Sequence, residues 1–130
     1  MNHQISTLLD KMESTASAWE TAGDNRYIFL KCYTIMSRNM AEGISAGRFA
    51  DPEWVSRLMA VFADYYFEAL FRYEISPDAT PAVWRQAHAC AVDARVKTVQ
   101  HLMLGINAHI NYDLPLSLYD CLCHQWSSLE

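Results

Sequence analysis

Apolar residues recur every three to four positions along most of the chain, which is the spacing of amphipathic helices. The pattern predicts a first helix over residues 4–20, a second over 26–42 and a third over 52–73. Gly23 is expected to end the first helix, and Asp51-Pro52 to begin the third with a capping carboxylate and an N-terminal proline. No stretch alternates apolar and polar residues as a strand would. The pattern therefore predicts an all-α fold.

A fourth helix is predicted to be unusually long, from Pro81 to about Tyr112. Because a proline disfavours helical angles at the residue before it, Leu114-Pro115 is expected to end this helix. A short fifth helix should then run to about Trp126. The predicted fold is a single-domain bundle of about five helices over residues 1–130, in which the long helix ends at the Asp-Leu-Pro kink.

Composition and charge exclude several classes of protein. Of the 130 residues, 52 % are apolar and 19 % are charged, which is typical of a globular domain. The net charge of −5 and the scattered lysines and arginines leave no basic surface for nucleic acid. No apolar run approaches the roughly 20 residues that span a bilayer, and the N-terminus lacks a secretory signal. We therefore expect a cytoplasmic protein that binds neither nucleic acid nor membrane.

The four cysteines are expected to be small buried apolar side chains, because disulfides are rare in cytoplasmic proteins. Cys121-Leu122-Cys123-His124 resembles half of a zinc motif. A structural zinc site needs a second pair of ligands, and the sequence contains no such pair. No metal and no cofactor is therefore predicted.

The segment 105–115 concentrates hydrogen-bonding side chains at the end of the long apolar helix. At 100° per residue, one sector of this helix contains His101, Gly105, His109, Tyr112 and Asp113, and a second contains Gln100, Asn107 and Asn111. The sector between them, with Met103, Ile106 and Ile110, is expected to be the most buried. His109 and Asp113 are four residues apart, so their side chains can touch.

Two interpretations of this cluster remain open. In the structural one, buried Asn and His side chains connect helices, or Asp113 caps the fifth helix. In the functional one, His109 is a general base oriented by Asp113, with His101 as a second imidazole on that face. Contacts to a substrate would then come from Asn107, Asn111 and Tyr112. The two histidines lie about 12 Å apart along the helix, too far for one metal ion to bind both easily.

Asp64 and Glu68 form a second pair of acids, four residues apart on the third helix. They are expected to lie on a solvated face, where Glu68 pairs with Arg72 at the i,i+4 spacing. The alternative is that both carboxylates line the same pocket as His109 and contact a substrate.

Several segments of the chain resemble an uncharacterised, mostly bacterial all-helical family, domain of unknown function 5995. The longest is Gly-Ile-Asn-Ala-His-Ile-Asn-Tyr-Asp-Leu-Pro at 105–115, and shorter ones lie at 49–54, 61–70 and 81–84. The positions that look like the family's hallmark are Asn107, His109, Asn111, Asp113 and Pro115. The resemblance covers roughly residues 20–120 and implies an all-helical cytoplasmic protein, with no activity to carry over.

The resemblance also implies that family members continue beyond the Leu-Pro segment with further helices, whereas this sequence stops at Glu130. The chain is therefore expected to be the N-terminal part of a longer family domain. Helices absent from it would cover apolar surface, so self-association as a homo-oligomer, or association with such helices, is expected.

Three functions are consistent with the sequence. The first is an enzyme acting on a small organic molecule by proton transfer or hydrolysis, with His109 as its acid–base group. The second is a helical binding or assembly module in which the polar cluster is structural. The third is a metal-dependent hydrolase, which rests only on analogy with other helical enzymes.

Overall fold

The computed structural model describes residues 2–125, and within that range every regular element is helical. The main helices are α1 (His3–Ala22), α2 (Tyr27–Ser45), α3 (Pro52–Ile75), α4 (Ala82–Cys90), α5 (Thr98–Ala108) and α6 (Leu114–Leu122). A π-helical segment (His109–Asp113) joins α5 to α6, and short 3₁₀ turns cover Pro77–Ala79 and Cys123–Gln125. The all-α prediction is confirmed. Within residues 2–125, no helix has both the length and the apolar character that crossing a membrane requires.

The first three helices begin and end close to the predicted residues. Gly23 ends α1 in the left-handed conformation, with φ of 73°, which glycine adopts without steric cost. The Asp51 carboxylate accepts a hydrogen bond of 3.0 Å from the backbone N–H of Trp54, and Pro52 occupies the first turn of α3. These local signals fix the helix ends independently of tertiary packing.

The prediction of one long helix from Pro81 to Tyr112 is wrong, because residues 91–97 form a non-helical connection between α4 and α5. Asn25 donates a side-chain hydrogen bond of 3.0 Å to the carbonyl of Ala91. Asp93 accepts one of the same length from the backbone N–H of Arg95. Both bonds give backbone groups a partner outside a helix, and the chain leaves the helix here without a glycine or proline.

The prediction that Leu114-Pro115 ends a helix is also wrong, since the chain stays helical from Thr98 to Leu122. Leu114 has φ of −64° and ψ of −46°, and its N–H donates to the carbonyl of His109, five residues earlier. A proline lacks the N–H of the usual bond, and its ring crowds the carbonyl four residues before it. The wider π turn avoids that clash, so the helix continues past Pro115.

The buried faces of two helices differ from those predicted. On α3 the apolar spacing of the sequence would place Trp54, Leu58, Val61, Phe62, Tyr65 and Ala69 inward, whereas the buried residues are Met59, Ala63, Tyr66, Ala69 and Leu70. On α5 and the π segment, Met103 and Ile110 were expected to be most buried, but they are 56 % and 44 % exposed. The predicted sectors were chosen by hydrophobicity alone, while the π segment buries His109 and Asp113, and Asp113 accepts a hydrogen bond from Trp84 of α4.

Candidate functional site

His109 and Asp113 form a buried pair at the two ends of the π segment. The Nδ1 atom of His109 lies 2.8 Å from Oδ2 of Asp113, and each residue is 1 % exposed. The indole N–H of Trp84, from α4, donates to the same carboxylate oxygen at 2.8 Å. The alternative that Asp113 caps the fifth helix is wrong, because its side chain makes no cap hydrogen bond. The carboxylate instead connects α4 to the π segment.

Aromatic rings from α2 and α3 enclose the imidazole of His109. The ring of Phe62 stacks on it with a centroid separation of 3.6 Å and an interplanar angle of 4°, and Tyr33 lies 4.3 Å away at a steep angle. Burial lowers the pKa of His109, and the hydrogen bond and charge of Asp113 oppose that shift. The imidazole is therefore neutral at pH 7, and its Nδ1–H donates to Asp113. Its Nε2 is buried and has no hydrogen-bond partner.

His109 also forms part of the wall of a cavity of about 390 Å³ between α2, α3 and the π segment. The wall is almost entirely apolar and includes three aromatic rings (Phe29, Tyr33, Phe62) and three methionines (Met36, Met40, Met59). Its polar side chains, apart from His109, are those of Tyr33, Cys32 and Ser37. We call this space the apolar cavity. Its size falls within the range of small-molecule sites in proteins.

Asp113 lines a second, more polar cavity of about 110 Å³ between α3, the start of α4 and the π segment. Two residues from the sequence prediction, Glu68 and Tyr112, lie in its wall, next to Tyr65. The hydroxyl of Tyr65 donates to Asp120 at 2.6 Å, and this bond raises the pKa of Tyr65 to about 12. Glu68 and Tyr112 therefore lie near Asp113 but do not line the apolar cavity with His109.

His101 lies elsewhere, in the wall of a cavity of about 20 Å³ that it shares with His88. Both histidines are buried, and the Nε2 atoms of both lack a partner. Burial lowers the pKa of His88 to about 4. A cavity of this size holds about one water molecule. His101 is thus not a second imidazole at the His109 site.

The other predicted contact residues lie on the surface. Asn107 and Asn111 are exposed and bond to each other, with 2.9 Å between Nδ2 of Asn111 and Oδ1 of Asn107. Asp64 is exposed, and Glu68 pairs with Arg72 across one helical turn, as the solvated-face interpretation predicted. None of the four predicted polar residues named here lines the apolar cavity.

Sequence reasoning missed the residues of other elements that complete the site. Trp84 is 29 positions from Asp113, and Phe62 and Tyr33 are farther still from His109. A tryptophan on an amphipathic helix predicts burial, but no local spacing assigns its N–H a partner. Among residues 2–125, no group of three or more His, Cys, Asp or Glu side chains could hold a metal ion. Cys121, Cys123 and His124 therefore do not form part of such a group.

The comparison with known families supports the resemblance seen in the sequence. A family of unknown function (DUF5995) matches residues 5–129, which is nearly the whole chain. The chain belongs to this family. The His109–Asp113 pair and its cavity are thus features of a DUF5995 protein. Neither the curated proteins nor the solved structures contain a match to the chain.

Proposed function

We propose that this protein binds a small organic molecule in the apolar cavity and that His109, oriented by Asp113, accepts a proton or hydrogen bond from it. One observation carries the proposal: His109, whose buried Nε2 has no hydrogen-bond partner, is part of the wall of a cavity of small-molecule size. An unpaired buried polar atom costs about 1–3 kcal/mol. A ligand that bonds to Nε2 recovers this free energy.

The pair has the parts of a general base. The proton of the neutral imidazole is held on Nδ1 by Asp113, so the lone pair of Nε2 is free. If Nε2 takes a proton, the carboxylate of Asp113 stabilises the resulting imidazolium. Cys32 and Ser37 share the cavity wall, but among the hydrogen bonds of residues 2–125 none joins either to His109. The proposed chemistry is therefore proton transfer, with no assigned nucleophile.

A set of small uncharged fragments tests the proposal by saturation-transfer NMR. Val55 lines the apolar cavity, and Val99 is 63 % exposed and does not. Fragments should bind the wild type and Val99→Phe, while Val55→Phe should abolish binding by filling the space. Leu58→Trp, at another wall position, replaces Val55→Phe if that variant does not fold. The proposal fails if no fragment binds the wild type, or if filling the cavity leaves binding unchanged.

A second candidate function is a binding or assembly module in which the pair is structural. The observation that favours it is the shared Oδ2 atom of Asp113, which joins Trp84 of α4 to His109 of the π segment. If this second function is correct, His109→Ala lowers the melting temperature, and no fragment binds in the apolar cavity. Fragment binding that requires His109 would contradict it. The metal-dependent hydrolase is not proposed further, because no ligand set occurs within the described chain.

The four free thiols support a cytoplasmic location, which we also propose. Fractionation of cells that express the protein tests it, and recovery outside the cytoplasm contradicts it. The self-association expected from the sequence stays a prediction, and sedimentation velocity over a concentration series tests it. A monomer at all concentrations would contradict that prediction.

A further inference from the structure

We infer that the ligand of the apolar cavity is an uncharged molecule with a hydrophobic body and one hydroxyl group, which donates its hydrogen bond to Nε2 of His109. The inference rests on the proposed function, because it names the class of molecule that the same site would take. It is carried by the charge of the cavity wall, by the direction of the hydrogen bond and by the position of His109 in the cavity.

The cavity wall excludes charged ligands. It contains no lysine, arginine, aspartate or glutamate, so an ion that entered would lose its hydration and gain no counter-charge. That uncompensated loss of hydration strongly disfavours binding of an ion. A carboxylate would also meet the negative charge of Asp113, directly behind the imidazole. The ligand must therefore be neutral at the pH at which it binds.

The hydrogen bond to His109 has a fixed direction. The N–H of the neutral ring donates to Asp113, so the opposite nitrogen presents only a lone pair. A ketone, ether or ester has no hydrogen to donate and would leave this nitrogen unpaired. An aliphatic amine is protonated near pH 7 and is excluded as an ion. An amide brings a carbonyl that needs a second donor, which the wall offers only through Tyr33, Ser37 or Cys32, whereas a hydroxyl needs only Nε2.

The position of His109 orients the molecule. His109 is 1 % exposed, whereas Met40 and Ile110, in the same wall, are 37 % and 44 % exposed. The hydroxyl end therefore enters first, and the hydrophobic body fills the space towards the solvent. Because Nε2 is itself covered, the wall must adjust when the ligand arrives. Three of its side chains are methionines, whose unbranched thioethers change rotamer readily.

A matched series of three probes tests the ligand class: 4-butylphenol, butylbenzene and 4-butylbenzoate. All three have the same butylphenyl body. The first carries a hydroxyl group, the second carries no polar group and the third carries a negative charge. For the wild type, titration calorimetry should show that the phenol binds roughly tenfold more tightly than the hydrocarbon, which corresponds to one hydrogen bond. The benzoate should bind more weakly than either. Val55→Phe should abolish binding of all three probes, and Val99→Phe should leave it unchanged.

His109→Phe keeps an aromatic ring at the site and removes the acceptor. It should lower the affinity for the phenol to that for butylbenzene and leave the affinity for butylbenzene within about threefold of wild type. If this variant does not fold, ¹⁵N NMR of the wild type gives the same information. The phenol, but not butylbenzene, should then shift the Nε2 resonance of His109, with the exposed His124 as internal reference.

The outcomes separate the two proposals. Equal affinity for the phenol and the hydrocarbon, tighter binding of the benzoate, or an unshifted Nε2 resonance overturns the ligand class and leaves the binding site intact. If none of the probes and none of the uncharged fragments binds the wild type, the small-molecule site itself is overturned.

Discussion

Gly105 of α5 lies against Phe29 of α2 without room for a side chain, since a Cβ on Gly105 would lie 2.7 Å from the Cβ of Phe29. Phe29 in turn lines the apolar cavity and packs edge-on against His109, with ring centroids 5.8 Å apart. The helix that carries His109 therefore approaches α2 closely enough to enclose the imidazole. This close approach of the two helices depends on Gly105, which lies one turn before His109.

Gly105→Ala should destabilise the protein by about 1–3 kcal/mol, because the added carbon cannot fit against Phe29. The sign is opposite to the usual helix preference, in which alanine is better than glycine by up to about 1 kcal/mol. Urea denaturation measures the change. Gly43→Ala is the matched control, since its Cβ would meet the ring edge of Phe49 at 3.0 Å and the Cδ of Arg48 at 3.9 Å. A stable Gly105→Ala variant would contradict the close packing.

Asp113→Asn should lower the pKa of His109 further, because the carboxylate raises that pKa against the effect of burial. It should also reduce the free energy of unfolding by about 1–3 kcal/mol through the weakened hydrogen bond. NMR titration of the histidine ring and urea denaturation measure the two effects. Asp64→Asn, on the exposed face of α3, should change neither. A His109 pKa that is the same in Asp113→Asn and wild type would show that the carboxylate does not act on the imidazole.

Trp84→Phe should cost more stability than Trp54→Phe. The N–H of Trp84 donates to the buried carboxylate of Asp113, whereas the N–H of Trp54 is buried without a partner. A hydrogen bond to a charged group contributes about 1.5–3 kcal/mol, and removal of an unpaired donor loses no such bond. The difference between the two variants in urea denaturation should lie in that range. Equal costs would indicate that the indole of Trp84 acts only by packing.

The free energy of unfolding should fall as the pH decreases from about 6.5 to about 4. Burial lowers the pKa of His88 to about 4, so in this window the unfolded chain binds more protons than the folded one. The contribution of His88 is fully present above pH 6.5 and is lost by pH 4, a change of about 3 kcal/mol. The lowered pKa of His109 acts in the same direction.

Denaturation at a series of pH values measures this dependence. His88→Phe should flatten it between pH 6.5 and 4, while His124→Phe, at an exposed position, should leave it unchanged. A His88→Phe variant as sensitive to acid as the wild type would show that other groups cause the loss.

The first three helices could be predicted because their ends have local signals, such as Gly23 and the Asp51-Pro52 pair. The break between α4 and α5 could not be predicted from the sequence. Residues 91–97 contain no glycine or proline, and one of the hydrogen bonds that holds them reaches Ala91 from Asn25, 66 positions away. The apolar periodicity of the sequence continues through such a segment even where the backbone is not helical.

The site could be predicted only in part, for a similar reason. The spacing of four residues correctly brought His109 and Asp113 into contact. It gave no information about Trp84 or Phe62, whose contacts offset the free-energy cost of burying an imidazole and a carboxylate. Without those partners, hydrophobicity places Met103 and Ile110 in the core, whereas both are exposed and His109 and Asp113 are buried.

The π segment also sets the rotation of α6 about its own axis. Hydrogen bonds that span five residues act as a single-residue insertion within a helix. Every later side chain, including the buried Ser117 and Cys121, is rotated by about 100° from its place in an uninterrupted α-helix. A one-residue deletion between His109 and Asp113 would therefore return this stretch to an α-helix and keep the inner face of α6 in place. A change that converts the π segment to α-helix without shortening the chain would instead rotate the inner face of α6 towards solvent, along the whole of that helix.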